Sequence, residues 1–377
     1  MGRPEDAKAE QSPGGPPRDF WVLEHDPAWL AGRLGVAGRA VLLAMKHEEP
    51  FCGVYVHDVG LDLGLGEVSL GTVPVRRHVL TGGLPREAAA ADELAELLRL
   101  LAAEIGPKGV VFLQGVHDDE ALRVAIDGRE LRRSYFVLQH GPSYRRCRIA
   151  LGGSFDDYLA TLKKGARTDL KRIMRKFTGE FGRDMAVEVV ETERDLEAVL
   201  PELERLSAKT YQAKHLGLGV SPGSLVEQQL RFGARQGMAR LDLLRVGGQL
   251  ISFQTAYIHS TTLYALHCGY DPEWSDWGPG IAHLGFILED LCRSLPRVRT
   301  VDMMYGESLY KTKLCNTFHQ EAHFYLIPRT ARGFAPWLAL RTVGHMSRAA
   351  GAVAARMKHK KTVTRFIRRL AERRAGH

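Results

Sequence analysis

Four side chains in the second half of the chain have types suited to moving protons or holding charge. His267 lies on an apolar run just ahead of a glycine-rich turn, and an imidazole with an ordinary pKa of about 6.5 can accept a proton near neutrality. Asp302 ends the apolar stretch TVDMM, where a carboxylate is seldom found without a partner or a task. Tyr310 and Lys311 follow within ten residues, a phenol that can give a proton and an ammonium that can sit beside a developing negative charge. Each also has a plainer use: a hydrogen-bonded strand histidine, a salt bridge, a solvated basic face.

Between His267 and Asp302 the chain reads GYDPEWSDWGPGIAHLGFILEDL. The turn Gly278-Pro279-Gly280 opens a stretch with helical spacing, so backbone amides and the helix dipole meet at Gly278 to Ala282. That combination suits a pyrophosphate or a phosphopantetheine, although an ordinary strand-turn-helix corner would have the same sequence. Upstream, SFDDYLATLKKGARTDLKRIMRKF starts with Ser154 as an N-cap and with Asp156 and Asp157 at the positive end of the dipole. Its later turns are basic. Arg167, Lys171 and Arg172 are read there as sharing one helix face toward an anionic acceptor, with Tyr211 and His215 as weaker acceptor-side candidates.

The elements that must position these residues follow from hydrophobic period. Residues 19 to about 150 alternate β-rich runs (AVLLAM, FCGVYVHDVGLDLG, GEVSLGTVPV, GVVFLQGV, RSYFVLQ) around a helix from Pro85 to about Ile105, which spaces Leu94, Leu97, Leu98 and Leu101 on one face. After the basic helix come a strand (MAVEVVE), a helix from Glu193 to about Lys214 and another from Pro222 to about Gln236. The period then changes to two: LDLLRV and LISFQTAYI flank Gly247-Gly248, and TTLYALHCGY adds a third strand. RTVDMMYG and AHFYLIP supply two more. The expected fold class is therefore α/β.

Bulk properties exclude several alternatives. The 377 residues are 45% hydrophobic and 25% charged, enough for two domains of ordinary size and unlike a disordered or fibrous chain. Residues 1 to 18 are rich in Pro, Gly and charge and are read as a disordered N-terminal tail. The expected division is 19–150, 151–330 and a basic amphipathic helical tail over 331–377. The net charge of +8 is a feature of that tail, whose local excess is +11. Val363, Phe366, Ile367 and Leu370 near helical spacing suit an anionic membrane surface; packing on the domain is the alternative. Five scattered cysteines without C-x-x-C, no apolar run of membrane-spanning length and no secretory leader point to the cytoplasm. No metal site is expected: His319 and His323 lack a third ligand, and the His57/Asp62 spacing is expected by chance in a chain with 15 His.

From about Ser154 to Thr330 the sequence resembles the CelD/BcsL group of GNAT-superfamily acyltransferases, relatives of the Fem aminoacyl ligases. The resemblance rests on the basic helix (Lys163, Lys164, Arg167, Lys171, Arg172, Arg175), the Leu-Arg-Val-Gly-Gly hairpin, Gly269-Tyr270-Asp271, Gly278-Pro279-Gly280, and Asp302-Met303-Met304-Tyr305-Gly306 with Tyr310-Lys311 behind it. It implies a GNAT (acyl-CoA N-acyltransferase) fold, with two tandem GNAT-like domains as in Fem ligases. It also implies transfer of an acyl group from CoA or an acyl carrier protein to an amine or hydroxyl of a lipid, glycan or natural product. On that reading His267, Asp302, Tyr310 and Lys311 are catalytic. Tyr270, Trp277, Gly278, Gly280, Ile281 and Ala282 hold acyl-CoA or acyl-phosphopantetheine as co-substrate, with no tightly bound cofactor. GNAT donor loops usually read Gln/Arg-x-x-Gly-x-Gly/Ala; here Trp277 stands in place of the first side chain, so backbone amides would carry more of the grip. The alternatives are a Fem-like ligase with aminoacyl-tRNA as donor and a non-catalytic scaffold on the same fold.

Overall fold

A computed structural model of the chain describes residues 41–46, 49–65, 68–81, 91–105, 109–118, 121–216, 219–304 and 308–356. In chain order the elements are β1 (Val41–Lys46), β2 (Glu49–Leu65), β3 (Val68–Thr81), α1 (Ala91–Ile105), β4 (Gly109–His117), α2 (Ala121–Asp127), α3 (Arg129–Ser134), β5 (Tyr135–Ala150), α4 (Phe155–Thr161) and α5 (Lys164–Phe181). They continue as β6 (Met185–Val190), α6 (Glu193–Lys209), α7 (Tyr211–Leu216), α8 (Leu225–Arg235), β7 (Ala239–Val246), β8 (Gln249–His259), β9 (Thr262–Tyr270), a 3₁₀ turn (Pro272–Trp277) and α9 (Pro279–Ser294). β10 (Thr300–Asp302), α10 (Leu309–Leu314), β11 (Thr317–Pro328) and α11 (Ala331–Arg356) complete the chain. The expected tail 1–18 and the last turns of the basic tail lie outside the described residues.

The chain divides into two compact units, 20–143 with 321–377 and 144–320. The division therefore falls at 143/144 and 320/321 rather than at 150 and 330, because β5 and β11 each pass from one unit into the other along a single strand. In the first unit the strand order is β1-β2-β3-β4-β11-β5, with β3/β4 parallel and β4/β11 antiparallel. Its core packs Leu94 and Leu98 of α1 and Leu122 and Ile126 of α2 against Val111 and Leu113 of β4. The helix expected over 85–105 is described from Ala91. The start of the expected tail also belongs to this unit: Leu340 of α11 is buried beside Val110, Tyr325 and Ile327. An apolar residue every few turns is enough to seat a helix on a sheet face, and the sequence offers no marker for which apolar residue that is.

In the second unit the order is β5-β10-β9-β8-β7-β6. β6 to β9 form an antiparallel meander, with Gly247 and Gly248 at φ 57° and 81° in the β7–β8 turn. β10 joins β9 in parallel, after the α9 crossover. Two helices expected as continuous are broken. The basic stretch divides at the extended Leu162 into α4 and α5, with Ser154 capping α4 by accepting the Asp157 amide at 3.1 Å. The helix after Glu193 stops at Thr210, also extended, and restarts as α7. Leu162 and Thr210 are both buried, so tertiary packing overrides helical period at each.

Candidate active site

The site is built where β9 and β10 part. β10 pairs with β9 for three residues, ending with Asp302 opposite Tyr264. From Ala265 to Tyr270, β9 is laddered to β8, and among the described residues no strand covers its other edge. The chain is turned off this path at Met304, a non-glycine residue at φ 55°, a conformation that costs about 1 kcal/mol and is held only where the surroundings enforce it.

Asp302 supplies that enforcement. Its carboxylate accepts Nε–H of Arg146 at 2.8 Å and of Arg148 at 2.9 Å, and it takes the Met304 amide at 2.8 Å. Both Asp302 and Arg146 are almost fully buried. Burial alone would raise the Asp302 pKa; the two guanidiniums outweigh it and hold the carboxyl below the usual carboxylate range. Its lone pairs are committed, so Asp302 is the anchor of a buried ion cluster and not a free proton acceptor, which departs from the catalytic role expected of it. Arg146 and Arg148 lie more than 150 residues away in sequence, and no local signal marks them as its partners.

Tyr310 and Lys311 come from the short helix α10, which follows the diverging strand. The Tyr310 phenol is hydrogen-bonded to the thiol of Cys268 on β9, and burial, reinforced by Cys268, pushes its pKa up, so it remains protonated near neutrality. The Lys311 ammonium donates to the Met303 carbonyl at 2.6 Å across the mouth of the divergence. Burial lowers its pKa from 10.5, opposed by the Cys147, Cys268 and Cys315 thiols and Asp302. Burial likewise raises the Cys268 pKa. His267 is the strand neighbour of Cys268 and so points to the opposite face. Burial pushes its imidazole below the ordinary value and keeps it neutral. The structure thus gathers Tyr310 and Lys311 around Cys268, a residue the sequence reading passed over, sets Asp302 farther back beside Arg146 and Arg148, and sets His267 on the other face of the same strand.

At the far end of β9 the donor turn has a left-handed hinge at Gly278 (φ 63°), which closes the 3₁₀ turn and caps α9. The Ile281 and Ala282 amides donate to the Gly278 carbonyl at 3.1 Å, and Pro279 has no N–H. The donor available to an anion at this end is therefore chiefly the Gly280 amide, beneath the half-exposed Tyr270 ring, whose Cδ1 lies 3.3 Å from where a Gly280 Cβ would be. The other expected contacts have different work. Trp277 packs edge-on against Phe181 and takes Lys176 Nζ 4.3 Å from its ring centre, Ile281 packs on the core, and Ala282 is fully buried. Within Gly269-Tyr270-Asp271, Gly269 is where Thr210 approaches the strand, since a Cβ would meet its Cγ2 at 2.4 Å. Asp271 receives Lys209 Nζ at 2.5 Å and the Glu273 amide at 3.2 Å.

α9 is tied to the sheet by a buried polar layer. His283 Nδ1 donates to Ser252 Oγ at 3.1 Å, and that hydroxyl donates to the Gly269 carbonyl at 3.1 Å. Burial, then Arg240, pushes the His283 pKa down to about 3, so the ring is neutral. Arg240 binds Asp242 at 2.7 Å and Asp290 of α9 at 2.8 Å.

On the acceptor side the expected shared face does not hold. At about 100° per residue Arg172 lies roughly 140° around α5 from Arg167; it is exposed and pairs weakly with Asp169 at 3.9 Å. Arg167 is half-buried beside the core row Ala166, Leu170, Met174 and Phe177, while Lys171 pairs with Asp156 at 3.3 Å. Tyr211 is exposed at the start of α7. His215 lies on α7, with its side chain outside the described residues.

Residues 164–312, which carry this site, match the model of the Acetyltransferase (GNAT) domain family. In fold the chain is similar to FemX, with a TM-score of 0.58 and 12% identity over 81% of this chain and 92% of that one. It is also similar to the C-terminal domain of a putative lysylphosphatidylglycerol synthetase from Agrobacterium fabrum (TM-score 0.52, 11% identity, 85% of this chain and 93% of that one). A conserved protein of unknown function from Bacteroides thetaiotaomicron gives a TM-score of 0.51 at 12% identity, over 79% and 89%. At such identities the likeness is one of fold, and it extends over both units. No curated protein matches the chain in sequence. The chain thus has a mixed α/β, GNAT-like fold, and its central residues 164–312 carry the match to the GNAT acetyltransferase domain.

Proposed function

We propose that the second unit moves an acyl group from the thioester of CoA or an acyl carrier protein to an amine or hydroxyl of a lipid, glycan or natural-product acceptor, in the manner of the CelD/BcsL group. The observation that carries this reading is the uncovered edge of β9 from Ala265 to Tyr270, with Tyr310 and Lys311 at one end and the Gly278–Gly280 turn at the other. A pantetheine arm has amide groups that can ladder onto such an edge, and its phosphate end suits the Gly280 amide. The thioester would then lie beside Cys268. As the acceptor nitrogen or oxygen bonds to the thioester carbon, charge develops on the carbonyl oxygen, where strand amides and the Lys311 ammonium are preorganised. The C–S bond breaks, the Tyr310 phenol gives its proton to the departing thiolate, and the acceptor's proton leaves to solvent, since His267 faces away from Cys268. Asp302, Arg146 and Arg148 serve as positioning residues that hold the strands apart. Arg167 and Lys171 are the acceptor-side cations in this scheme.

The test is thiol release. The full chain should liberate CoA from acyl-CoA in the presence of an amine acceptor, and Tyr310→Phe should lower that rate by about 10²-fold or more while the melting temperature changes little. Aminoacyl transfer from aminoacyl-tRNA, with free tRNA as the leaving group, no thiol released, and loss on nuclease treatment, would replace this reading with a Fem-like ligase. No transfer of either kind to any amine or hydroxyl acceptor would leave a binding module.

A further inference from the structure

The first unit contains a cavity of about 220 Å³ that the transfer scheme does not use. Arg132 of α3, Arg329 at the end of β11 and Arg341 of α11 all line it, and among the described residues no carboxylate does. Two of these guanidiniums lie over aromatic rings: Arg329 Cζ is 4.7 Å from the Phe136 centre and Arg341 Cζ 5.0 Å from the Trp337 centre. The two rings are themselves stacked, 4.6 Å apart and 22° from parallel. Arg329 is fixed further, its Nε donating to the Tyr135 carbonyl at 3.3 Å and its amide to the Ser134 carbonyl at 2.9 Å. Arg132 keeps one contact, to Asp127 at 3.2 Å.

A guanidinium held on a ring face is orientated, and its in-plane N–H edge remains available for a tetrahedral oxyanion. Two such groups, with Arg132 as a third cation only partly offset by Asp127, make the cavity electropositive, and the planar fork favours phosphate. The volume falls short of the roughly 300 Å³ at which pockets for whole drug-sized ligands begin, so it fits a headgroup. The rim is apolar. Phe334 and Leu338, one turn apart on α11, are 48% and 47% exposed, and the Phe334 ring lies 5.4 Å from Trp337.

The geometry points to a binding site for the phosphate headgroup of an anionic phospholipid, the phosphate among Arg132, Arg329 and Arg341 and the start of the acyl chain over Phe334 and Leu338. The site is separate from the transfer centre and from the terminal basic segment, and it stands or falls independently of the transferase reading. Calorimetric titration of the full chain with dihexanoyl phosphatidylglycerol, below its micelle concentration, tests it. Binding is expected, with sn-glycerol phosphate binding more weakly and dihexanoyl phosphatidylcholine scarcely at all. Arg341→Ala should weaken the lipid roughly ten- to a hundredfold at unchanged melting temperature, since one charge-assisted contact is lost at an exposed position. Leu338→Asp should weaken the lipid but not glycerol phosphate, and removal of residues 358–377 should leave both unchanged. Equal binding of the two lipids, or wild-type affinity in Arg341→Ala, overturns the proposal. Glycerol phosphate binding as tightly as the lipid would make the ligand a free phosphate ester and overturn the lipid assignment.

Discussion

Lys311, half-buried, and Asp302, fully buried, are nine residues apart, yet they answer to different physics. The Lys311 amine has lost part of its solvation and keeps a lowered pKa, so the fraction of enzyme with a charged ammonium falls as pH rises, starting below the 10.5 of a free lysine. If that charge stabilises the carbonyl oxygen, the rate should decline on the alkaline side through that pKa. Lys311→Met should lower kcat by about 10²-fold and remove the alkaline limb; a profile identical to that of the wild type would return Lys311 to a structural role. Asp302 is held ionised by two arginines. Its folded pKa is lower than in the unfolded chain, so the stability it contributes is present above about pH 3.8 and lost as the pH falls through the folded value. Asp302→Asn leaves the buried Arg146 guanidinium and the half-buried Arg148 without their counter-charge and should cost about 3 kcal/mol or more, seen as a large drop in melting temperature together with reduced turnover. An unchanged melting temperature would contradict the anchoring role.

At the level of elements, the donor end depends on how α9 starts. The turn from β9 reaches α9 through one left-handed residue and one glycine that lies under an aromatic ring. A side chain at Gly280 must displace Tyr270, which is half-exposed and can swing away, so the fold should survive while the anion-facing amide is covered. Gly280→Val is therefore expected to lose CoA binding by calorimetry with little change in thermal unfolding; wild-type affinity in a folded variant would move the donor site elsewhere. The same helix is secured from below by Arg240, Asp242, Asp290 and the His283–Ser252–Gly269 relay. None of these touches the expected ligand. They set where the Gly278 turn stands relative to the end of β9, which makes them positioning groups.

For the whole molecule, no described helix is long and apolar enough to cross a membrane, and the basic excess lies after residue 330. If the terminal segment is an electrostatic anchor, its attraction should weaken as the Debye length shrinks from about 10 Å at 0.1 M salt to about 3 Å at 1 M. Deleting residues 358–377 should then reduce salt-sensitive sedimentation with anionic vesicles and leave transfer to a soluble acceptor intact; undiminished sedimentation would reject the anchor. The sequence by itself determined what is local. Alternation in LDLLRV and LISFQTAYI with Gly247-Gly248 between them makes a hairpin wherever it is placed, and Ser154 caps its helix through neighbours three residues away. The glycine turn before α9 and the proximity of Tyr310-Lys311 to Asp302 were legible for the same reason. Tertiary structure alone decided the rest, because burial and pairing depend on residues distant in sequence. Arg146 and Arg148 turned Asp302 from a candidate base into an anchor, Phe181 and Lys176 claimed Trp277 for packing, and Cys268 gained its place only when α10 folded back over β9. The break at Thr210 and the seating of Leu340 belong to the same class, since an apolar side chain states that it will be buried but not against what.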